Sequence, residues 1–268
     1  MLQLISMSLF AALVGIVSSM IGVGGGFLII PILVLLYGFS MHNAVGTSLL
    51  MIVFTALSST FAYARQRRID CFLGLIMTVG SIPGAFIGAY ATSLLSAKNL
   101  ASLFGVFLMF VAVNMFVGSG EEKERKRFRL WGWLRRIRDS KGAVFEYEAN
   151  IVLSLIFSLL AGFVAGFFGV GGGAVMVPVM VLVMAMPMHI AVATSMFMMI
   201  FTSISGAATH ILLGNVLLES AIALGIGIVF GAQVGAFMAR RLKAKMLRRV
   251  FAVFLVIVGL RMALQYLF

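Results

Sequence analysis

The sequence predicts an all-α polytopic membrane protein built from two inverted-topology repeats, and three observations lead to this prediction. The 268-residue chain is 62% hydrophobic and only 10% charged, which leaves too few polar residues to cover a soluble protein of this size. The apolar residues come in blocks of roughly 20, the length of α-helix that crosses a bilayer, whereas the strands of a membrane β-barrel would alternate in polarity. The chain also repeats itself at an offset of 147 residues.

The repeat is clearest in a glycine-rich pentapeptide. The sequence Gly-Val-Gly-Gly-Gly occurs at residues 22–26 and again at residues 169–173, and Pro31 and Pro178 follow the two copies at equal distance. The two halves align without a gap over about 120 residues, which indicates a duplicated unit. We therefore predict a first transmembrane repeat at residues 1–120, a basic cytoplasmic linker at 121–148 and a second, inverted transmembrane repeat at 149–268.

Five apolar blocks define each repeat. In the first repeat they cover residues 2–21, 27–38, 42–64, 71–93 and 98–118, and in the second repeat residues 149–168, 174–186, 189–213, 216–239 and 245–267. The last three blocks of each repeat are long enough to span a membrane. The pair that flanks the glycines either spans with tilt or forms a re-entrant hairpin, because 12 helical residues rise only about 18 Å against a hydrocarbon core of about 30 Å. The prediction is thus three long transmembrane helices plus a glycine-broken helix pair in each half, or 8–10 membrane segments in all.

Basic residues predict the orientation of the two halves. Arg65, Arg67 and Arg68 lie between the third and fourth blocks, while the equivalent positions of the second half carry no charge. The second half instead places six basic residues between its last two blocks, namely Arg240, Arg241, Lys243, Lys245, Arg248 and Arg249. Because loops rich in Lys and Arg stay in the cytoplasm, the same loop is inside in one half and outside in the other. This places the central loop in the cytoplasm and both termini outside.

The polar segment at residues 119–148 admits two interpretations. It is either a positively charged linker, which the pattern favours, or a basic amphipathic helix with Trp131 and Trp133 at the membrane interface. The net charge of +12 is concentrated in short clusters between apolar blocks, so we expect a lipid bilayer and no nucleic acid as partner. Cys71 is the only cysteine and forms no internal disulfide, and the oligomeric state stays open.

The repeated glycines, hydroxyls and histidines are the candidate site for a small anionic substrate. A glycine run breaks a helix and frees backbone N–H groups, and the N-terminus of the following helix attracts anions. Inverted-repeat transporters place such breaks where their halves meet. The candidate substrate-binding residues are Gly24, Gly25, Gly26, His42, Thr47, Ser48, Gly171, Gly172, Gly173, His189, Thr194 and Ser195.

Each of these residue types also has a structural interpretation. Glycines serve close helix packing, which is the favoured role of Gly84, Gly88, Gly231 and Gly235. Serine and threonine hydroxyls bond back to helix carbonyls, and a histidine can lie at the interface. No buried carboxylate pair or thiolate accompanies the histidines, so we predict no metal and no cofactor. A coupling proton is a candidate partner, with His42, His189, His210 or Glu219 as carrier.

The doubled motif resembles the TauE/SafE family of membrane transporters. Two copies of Gly-Val-Gly-Gly-Gly-x-x-x-x-Pro, each followed by His-x-Ala-Val-x-Thr-Ser, carry the resemblance, which covers nearly the whole chain outside the linker. It implies a transporter rather than an enzyme, working on sulfite, a sulfonate or a related sulfur-containing or organic anion at a bacterial-type cytoplasmic (inner) membrane. It leaves the substrate and the direction of transport open. Pro187 in place of Ser40 and Ala193 in place of Gly46 predict that the two half-sites differ.

Three functions remain at this point. The first is a secondary transporter for a small anion that works by alternating access. The second is a passive anion channel with the same lining. The third and most distant is an intramembrane enzyme with Ser48 or Ser195 as nucleophile and a histidine as base, for which no Gly-x-Ser-x-Gly elbow is present.

Overall fold

A computed structural model describes residues 1–117, 133–140, 142–182, 184, 186–239 and 255–262. The elements in chain order are α1 (Leu2–Ile21), α2 (Gly26–Tyr37), α3 (Met41–Arg65), α4 (Cys71–Thr92), α5 (Ala97–Val117), β1 (Trp133–Arg138), β2 (Val144–Ala149), α6 (Ile151–Phe168), α7 (Gly173–Leu182), α8 (Met188–Leu212) and α9 (Leu218–Met238). Residues 255–262 are also helical. The charge run at 121–127, Trp131 and the basic cluster at 240–249 lie outside the described residues.

Six of the described helices, α1, α3, α4, α6, α8 and α9, are long and apolar enough to cross a membrane. The helix bounds follow the predicted blocks closely, and the chain is a multi-pass helical membrane protein. Local chemistry sets several helix starts. Side chains of Ser40, Asp70 and Asn150 accept hydrogen bonds from the backbone N–H three residues on, and so cap α3, α4 and α6.

Glycine stripes pair helices from different halves of the chain. A Cβ atom on Gly84 of α4 would overlap the carbonyl oxygen of Leu159 in α6, and one on Gly231 of α9 would overlap that of Ala12 in α1. Gly88 and Gly235 make the same kind of contact one turn later. Backbones approach this closely only where side chains are absent, so the predicted packing role of these four glycines is confirmed. Each half thus packs its first helix against the fourth helix of the other half.

Helices α3 and α8 form the centre of the molecule and run antiparallel. The start of α3 meets the end of α8, where Gly46 contacts the backbone of Asn215, and the start of α8 meets the end of α3, where Thr194 bonds to Asp70. Their membrane-length windows are 67% and 72% buried, against 33–50% for the other four. The chain therefore surrounds these two helices with the rest of the bundle.

Residues 133–149 form an antiparallel β-hairpin, so the all-α prediction and the amphipathic-helix alternative are wrong for this stretch. Strand β1 pairs with β2 from Trp133 opposite Ala149 to Arg138 opposite Val144. Inward and outward residues alternate along β2, where Tyr147 and Ala149 are buried and Glu146 is exposed. The hairpin lies against α4, α7 and α8 in a cluster rich in methionine, and Trp133 packs edge-on against Phe72 with ring centroids 5.3 Å apart.

Candidate functional site at the paired glycine breaks

The two glycine pentapeptides interrupt helices with left-handed backbone. Helix α1 ends at Gly22 (φ 84°), Gly24 and Gly25 have φ of 85° and 92°, and α2 begins at Gly26. In the second copy Gly169, Gly171 and Gly172 have φ of 70°, 78° and 80°, and α7 begins at Gly173. A side chain is strained in this backbone region, which is why glycine fills these positions. No side chain caps the start of α2, so its first N–H groups depend on what lies in the break.

The two breaks pack directly against each other. A Cβ atom on Gly26 would collide with the carbonyl oxygen of Gly169, and one on Gly173 would collide with that of Gly22. The contact is reciprocal, because each helix start meets the residue that ends the other broken helix. The structure therefore brings together all six candidate glycines, which are Gly24, Gly25, Gly26, Gly171, Gly172 and Gly173.

Ile52 of α3 and Met199 of α8 close the space between the breaks. A Cβ atom on Gly24 would lie 3.0 Å from Sδ of Met199 and 3.2 Å from Cγ2 of Ile52, and one on Gly171 would lie 3.1 Å and 2.9 Å from the same atoms. Both side chains are fully buried and they occupy equivalent positions of the two halves. In this conformation an apolar pair from the two central helices packs against both glycine breaks.

The serines of the candidate site lie beside the breaks, one from each central helix. Ser48 Oγ donates to the carbonyls of Val45 and Gly169, each at 2.8 Å, and Ser195 Oγ lies 2.9 Å from the carbonyl of Val192 and 3.1 Å from that of Gly22. A hydroxyl has a single hydrogen, so these carbonyls occupy it. The serines satisfy carbonyls that the helix ends leave open.

The threonines one position earlier face the ends of the central helices instead. Thr47 Oγ1 accepts from the N–H of Leu217 at 3.1 Å, and Thr194 Oγ1 accepts from the N–H of Asp70 at 3.0 Å. Leu217 and Asp70 are themselves the residues that precede α9 and α4. The threonines thus anchor two equivalent loops, the α3–α4 loop (residues 66–70) and the α8–α9 loop (residues 213–217), and do not reach the breaks in this conformation.

The histidines of the candidate site also lie away from the breaks. His42 Nε2 is 3.0 Å from the carbonyl of Thr92 and 3.1 Å from that of Leu95, so it caps the end of α4. His189 is exposed at the start of α8. The glycines and serines are thus brought together, whereas the threonines and histidines belong to the two ends of the central helix pair.

Another pair of equivalent residues, Tyr63 and His210, holds the helices that lead into the breaks. Tyr63 Oη donates to the carbonyl of Ser19 in α1 at 2.7 Å, and His210 Nε2 is 3.2 Å from the carbonyl of Gly166 in α6. Ser19 and Gly166 are equivalent, so one contact is made twice with different chemistry. His210 is fully buried, and its Nδ1 is 3.4 Å from Nδ2 of Asn215.

The hairpin attaches to the α3–α4 loop through a buried carboxylate. Asp70 accepts two hydrogen bonds from Arg135, at 2.8 and 2.9 Å, and one from Tyr147 at 2.5 Å. Burial favours a raised pKa for Asp70, but the bonds from Arg135, the Leu73 N–H and Tyr147 outweigh it and hold this pKa below its ordinary value. The bond to Asp70 raises the pKa of Arg135, and burial together with the same carboxylate raises that of Tyr147.

A second ion pair continues this attachment along the loop. Arg68 Nη2 lies 3.4 Å from Oδ2 of Asp139, and the N–H of Ser140 donates to the carbonyl of Gln66 at 3.0 Å. In the described part of the chain, Glu219 in the first turn of α9 is the one acidic residue within a helix. Fixed negative charge therefore lies at the ends of the described helices and away from the breaks, which leaves the breaks compatible with an anion.

Sequence reasoning missed Ile52, Met199 and the pairing of Tyr63 with His210. Ile52 and Met199 each follow a candidate serine by four residues, which places them on the same helix face as that serine. The repeat offset also relates Tyr63 to His210, but the two residue types differ, so identity between the halves does not reveal them. The spacing from Ser48 and Ser195 was the available signal for the apolar pair.

The described part of the chain has six helices of membrane length, two of which lead into glycine breaks that pack against each other, and it is a multi-pass helical membrane protein. The chain belongs to the family described as "Sulfite exporter TauE/SafE", whose profile matches residues 7–262. The resemblance found in the doubled motif is thereby confirmed, and the chain is placed among membrane transporters.

Relatives across bacteria and archaea carry corresponding names. The chain is 32% identical over 261 residues to "Probable membrane transporter protein YunE" of Bacillus subtilis, covering 95% of each chain. It is 26% identical to "Probable membrane transporter protein MJ0441" of Methanocaldococcus jannaschii, covering 94% of this chain and 92% of the relative. It is 27% identical to "Probable membrane transporter protein YdhB" of Bacillus subtilis, covering 84% and 85%. No solved structure matches the chain. These names indicate transport rather than catalysis.

Proposed function

We propose that the protein is a secondary transporter that moves a small anion, namely sulfite, a sulfonate or a related sulfur-containing or organic anion, across the cytoplasmic membrane by alternating access. The observation that carries the proposal is the reciprocal packing of the two glycine breaks. Broken helices at the interface of two halves are where inverted-repeat transporters bind their substrates. The description of the family as a sulfite exporter supports sulfite as the first anion to test.

An inverted relation between the halves is supported by the central helices. Helices α3 and α8 are equivalent in the repeat yet run antiparallel, which is the arrangement that inversion requires. The hairpin from the central segment also contacts the α3–α4 loop through Arg68 and Asp139. Two segments assigned to the cytoplasm by their basic residues therefore lie at one end of the molecule. This supports a cytoplasmic central segment with both termini outside.

The anion would bind when the breaks separate. The helix starts at Gly26 and Gly173 offer N–H groups with partial positive charge. When the breaks separate, Ser48 and Ser195 lose the carbonyls of Gly169 and Gly22 and can turn their hydroxyls from their own helices to the anion. The close contacts of Ile52 and Met199 with both breaks favour alternating access over a passive anion channel, because an open pore requires a continuous gap between the halves.

The proposal is tested with purified protein in liposomes loaded with sulfite. The wild-type protein should release sulfite, and a Gly24→Ala or Gly171→Ala variant should lose most of this flux because the added Cβ is strained and crowds Met199 and Ile52. Gly38→Ala is the matched control. Gly38 shares a left-handed backbone (φ 68°) but has no atom within 4 Å of its Cβ position.

Three outcomes separate the alternatives. Loss of flux in the Gly24 and Gly171 variants together with a normal Gly38 variant supports the breaks as the pathway. Equal flux in all three variants removes the breaks from the mechanism. Large unitary currents in electrical recordings identify a channel, and a wild-type protein that moves neither sulfite nor a sulfonate contradicts the anion assignment.

A further inference from the structure

We propose that His210 is the proton-binding residue of this transporter and that proton binding there releases the α8–α9 loop. The inference rests on the proposed anion transport, since it assigns the ion that moves with the anion. It begins from the equivalence of His210 and Tyr63. Both are buried, and both bond to the carbonyl of the equivalent residue on the helix that leads into a break.

The two residues do the same structural work with different acid–base chemistry. A phenol stays neutral across the physiological range, whereas an imidazole gains or loses its proton there. The first half therefore holds its broken helix with a phenol, and the second half holds its broken helix with an imidazole, a group that in water titrates in this range. Packing alone does not require an imidazole in the second half, because Tyr63 shows that a hydroxyl can donate the equivalent hydrogen bond.

The hydrogen bonds of His210 fit one neutral form. A carbonyl only accepts, so Nε2, which faces the oxygen of Gly166, carries a hydrogen. Nδ1 faces the amide nitrogen of Asn215, which only donates, so Nδ1 presents its lone pair. A proton added to Nδ1 would set two donors against each other in this orientation of the amide, so the Asn215 side chain has to turn over or leave the ring.

Asn215 lies in the middle of the α8–α9 loop. Its N–H donates to the carbonyl of His210 at 2.8 Å, and its backbone carbonyl packs against Gly46 of α3. Two residues further on, the N–H of Leu217 bonds to Thr47. The loop is thus docked on the start of α3, and loss of the side-chain contact between Asn215 and His210 weakens it at its centre.

The surroundings make a charged imidazole costly while the loop is docked. Helices α1, α6 and α7, which pack near or against α8, carry no titratable side chain. The titratable groups on α8 itself and on its other described neighbours are few. They are His42 on α3, Tyr63 and Arg65 at the far end of α3, Cys71 and Tyr90 on α4, His189 at the far end of α8, and Glu219 on α9.

Of these groups, His42 adds to the cost of a second charge. A Cβ atom on Gly46, one turn after His42 on α3, would lie 3.1 Å from Cβ of His210, so a charged His42 repels a charged His210, whereas Glu219 is exposed to solvent. A buried cation without a carboxylate is strongly disfavoured. A proton therefore binds best when the loop moves and water reaches the ring. Proton binding and loop opening then favour each other, as linked equilibria must.

Hydrogen exchange of the α8–α9 loop tests the assignment without any substrate. Between about pH 8 and pH 5, where imidazole titrates, the wild-type loop should lose protection relative to an unstructured reference peptide. His210→Tyr, which copies the equivalent Tyr63, should remove this pH response. His210→Gln is the second variant, since its amide can donate to Gly166 and does not titrate. His42→Gln should keep the response.

Proton movement in liposomes is the second readout. With a pH-sensitive dye and sulfite inside, the wild-type protein should move protons together with sulfite, and a pH gradient should accelerate sulfite flux. Both His210 variants should lose this acceleration when they are compared with the wild-type protein at the same ratio of bisulfite to sulfite. Three results would each overturn the assignment. Both His210 variants could keep the wild-type pH response, or His42→Gln alone could lose it. The third is a wild-type loop that does not respond to pH. A wild-type protein that moves no anion while its loop still responds to pH would contradict only the transport proposal.

Discussion

The α3–α4 loop and the α8–α9 loop occupy equivalent positions at opposite ends of the central helix pair, yet they are held by different chemistry. Both are anchored by a threonine, Thr194 for the first and Thr47 for the second. The first is then covered by the hairpin, with Asp70 bonded to Arg135 and Tyr147. The equivalent of Asp70 is Leu217, and the second loop has instead the contact of Asn215 with His210.

This difference shows what a duplicated architecture leaves free to vary. The threonine bonds and the glycine packing are shared because both ends need the same backbone geometry. The second layer of contacts is particular to each end, with fixed charges at one and a neutral imidazole and amide at the other. The two ends therefore have the same backbone framework but different ionisable groups.

The largest expected effect comes from breaking the carboxylate attachment of the hairpin. Asp70→Ala removes three side-chain hydrogen bonds and the N-cap of α4, and leaves Arg135 and Tyr147 without their partner. We expect a loss of about 3 kcal/mol, at the low end of the range for a broken buried pair because Arg135 keeps some contact with solvent. Hydrogen exchange of residues 133–149 and thermal unfolding measure the effect.

Glu146→Ala is the matched control for this variant. The pair formed by Glu146 with Arg136 lies on the same hairpin, but its side chains are 49% and 70% exposed. An exposed pair contributes little, so the control should leave the hairpin protected. Equal protection in Asp70→Ala and Glu146→Ala would show that Asp70 does not hold the hairpin.

Acid should have a smaller effect of the same kind. The pKa of Asp70 is lowered in the folded protein, so its contribution to stability is complete above the ordinary pKa of aspartate, about 3.9, and is lost as the pH falls below it. A protonated carboxyl still accepts some hydrogen bonds, which makes this loss smaller than that in Asp70→Ala. Hairpin exchange measured from neutral to strongly acidic pH should rise only below the ordinary aspartate range. A rise near neutral pH would assign the attachment to another group.

The smallest effect should come from the shared threonine anchors. Thr47→Val and Thr194→Val each keep the side-chain shape and remove the acceptor for one backbone N–H, which should cost about 1 kcal/mol. Amide hydrogens of the α8–α9 loop in Thr47→Val should exchange faster than those of the α3–α4 loop in Thr194→Val, because the hairpin still holds the α3–α4 loop. The opposite order would mean that the hairpin does not reinforce the α3–α4 loop.

Much of the fold could be predicted because its signals are local. Block length and hydrophobicity indicated the helices, and the breaks followed from glycine runs that tolerate left-handed backbone. The hairpin could not be found in this way. Its basic residues indicated a solvated linker, whereas Arg135 of the hairpin is paired with Asp70 and Asp139 of the hairpin is paired with Arg68, both from a distant part of the chain.

The candidate site divides along the same line. The glycines form the breaks themselves, and Ser48 and Ser195 each reach the break of the other half. Thr47 and His42 belong to the same sequence motif as Ser48, but one helical residue turns a side chain by about 100°, so neighbours along the helix face different partners. Which partner each side chain meets depends on where the other half of the chain lies.

The sequence by itself determined the membrane class, the duplication, the helix blocks and the two breaks, because each depends on residues close together in the chain or on a repeat that alignment reveals. Only the tertiary structure decided that the breaks contact each other, that Ile52 and Met199 close the space between them, and that Tyr63 and His210 share one task. These facts depend on contacts between residues far apart in the chain, such as Tyr63 with Ser19 and Gly26 with Gly169, and such contacts leave no periodic pattern in a single sequence.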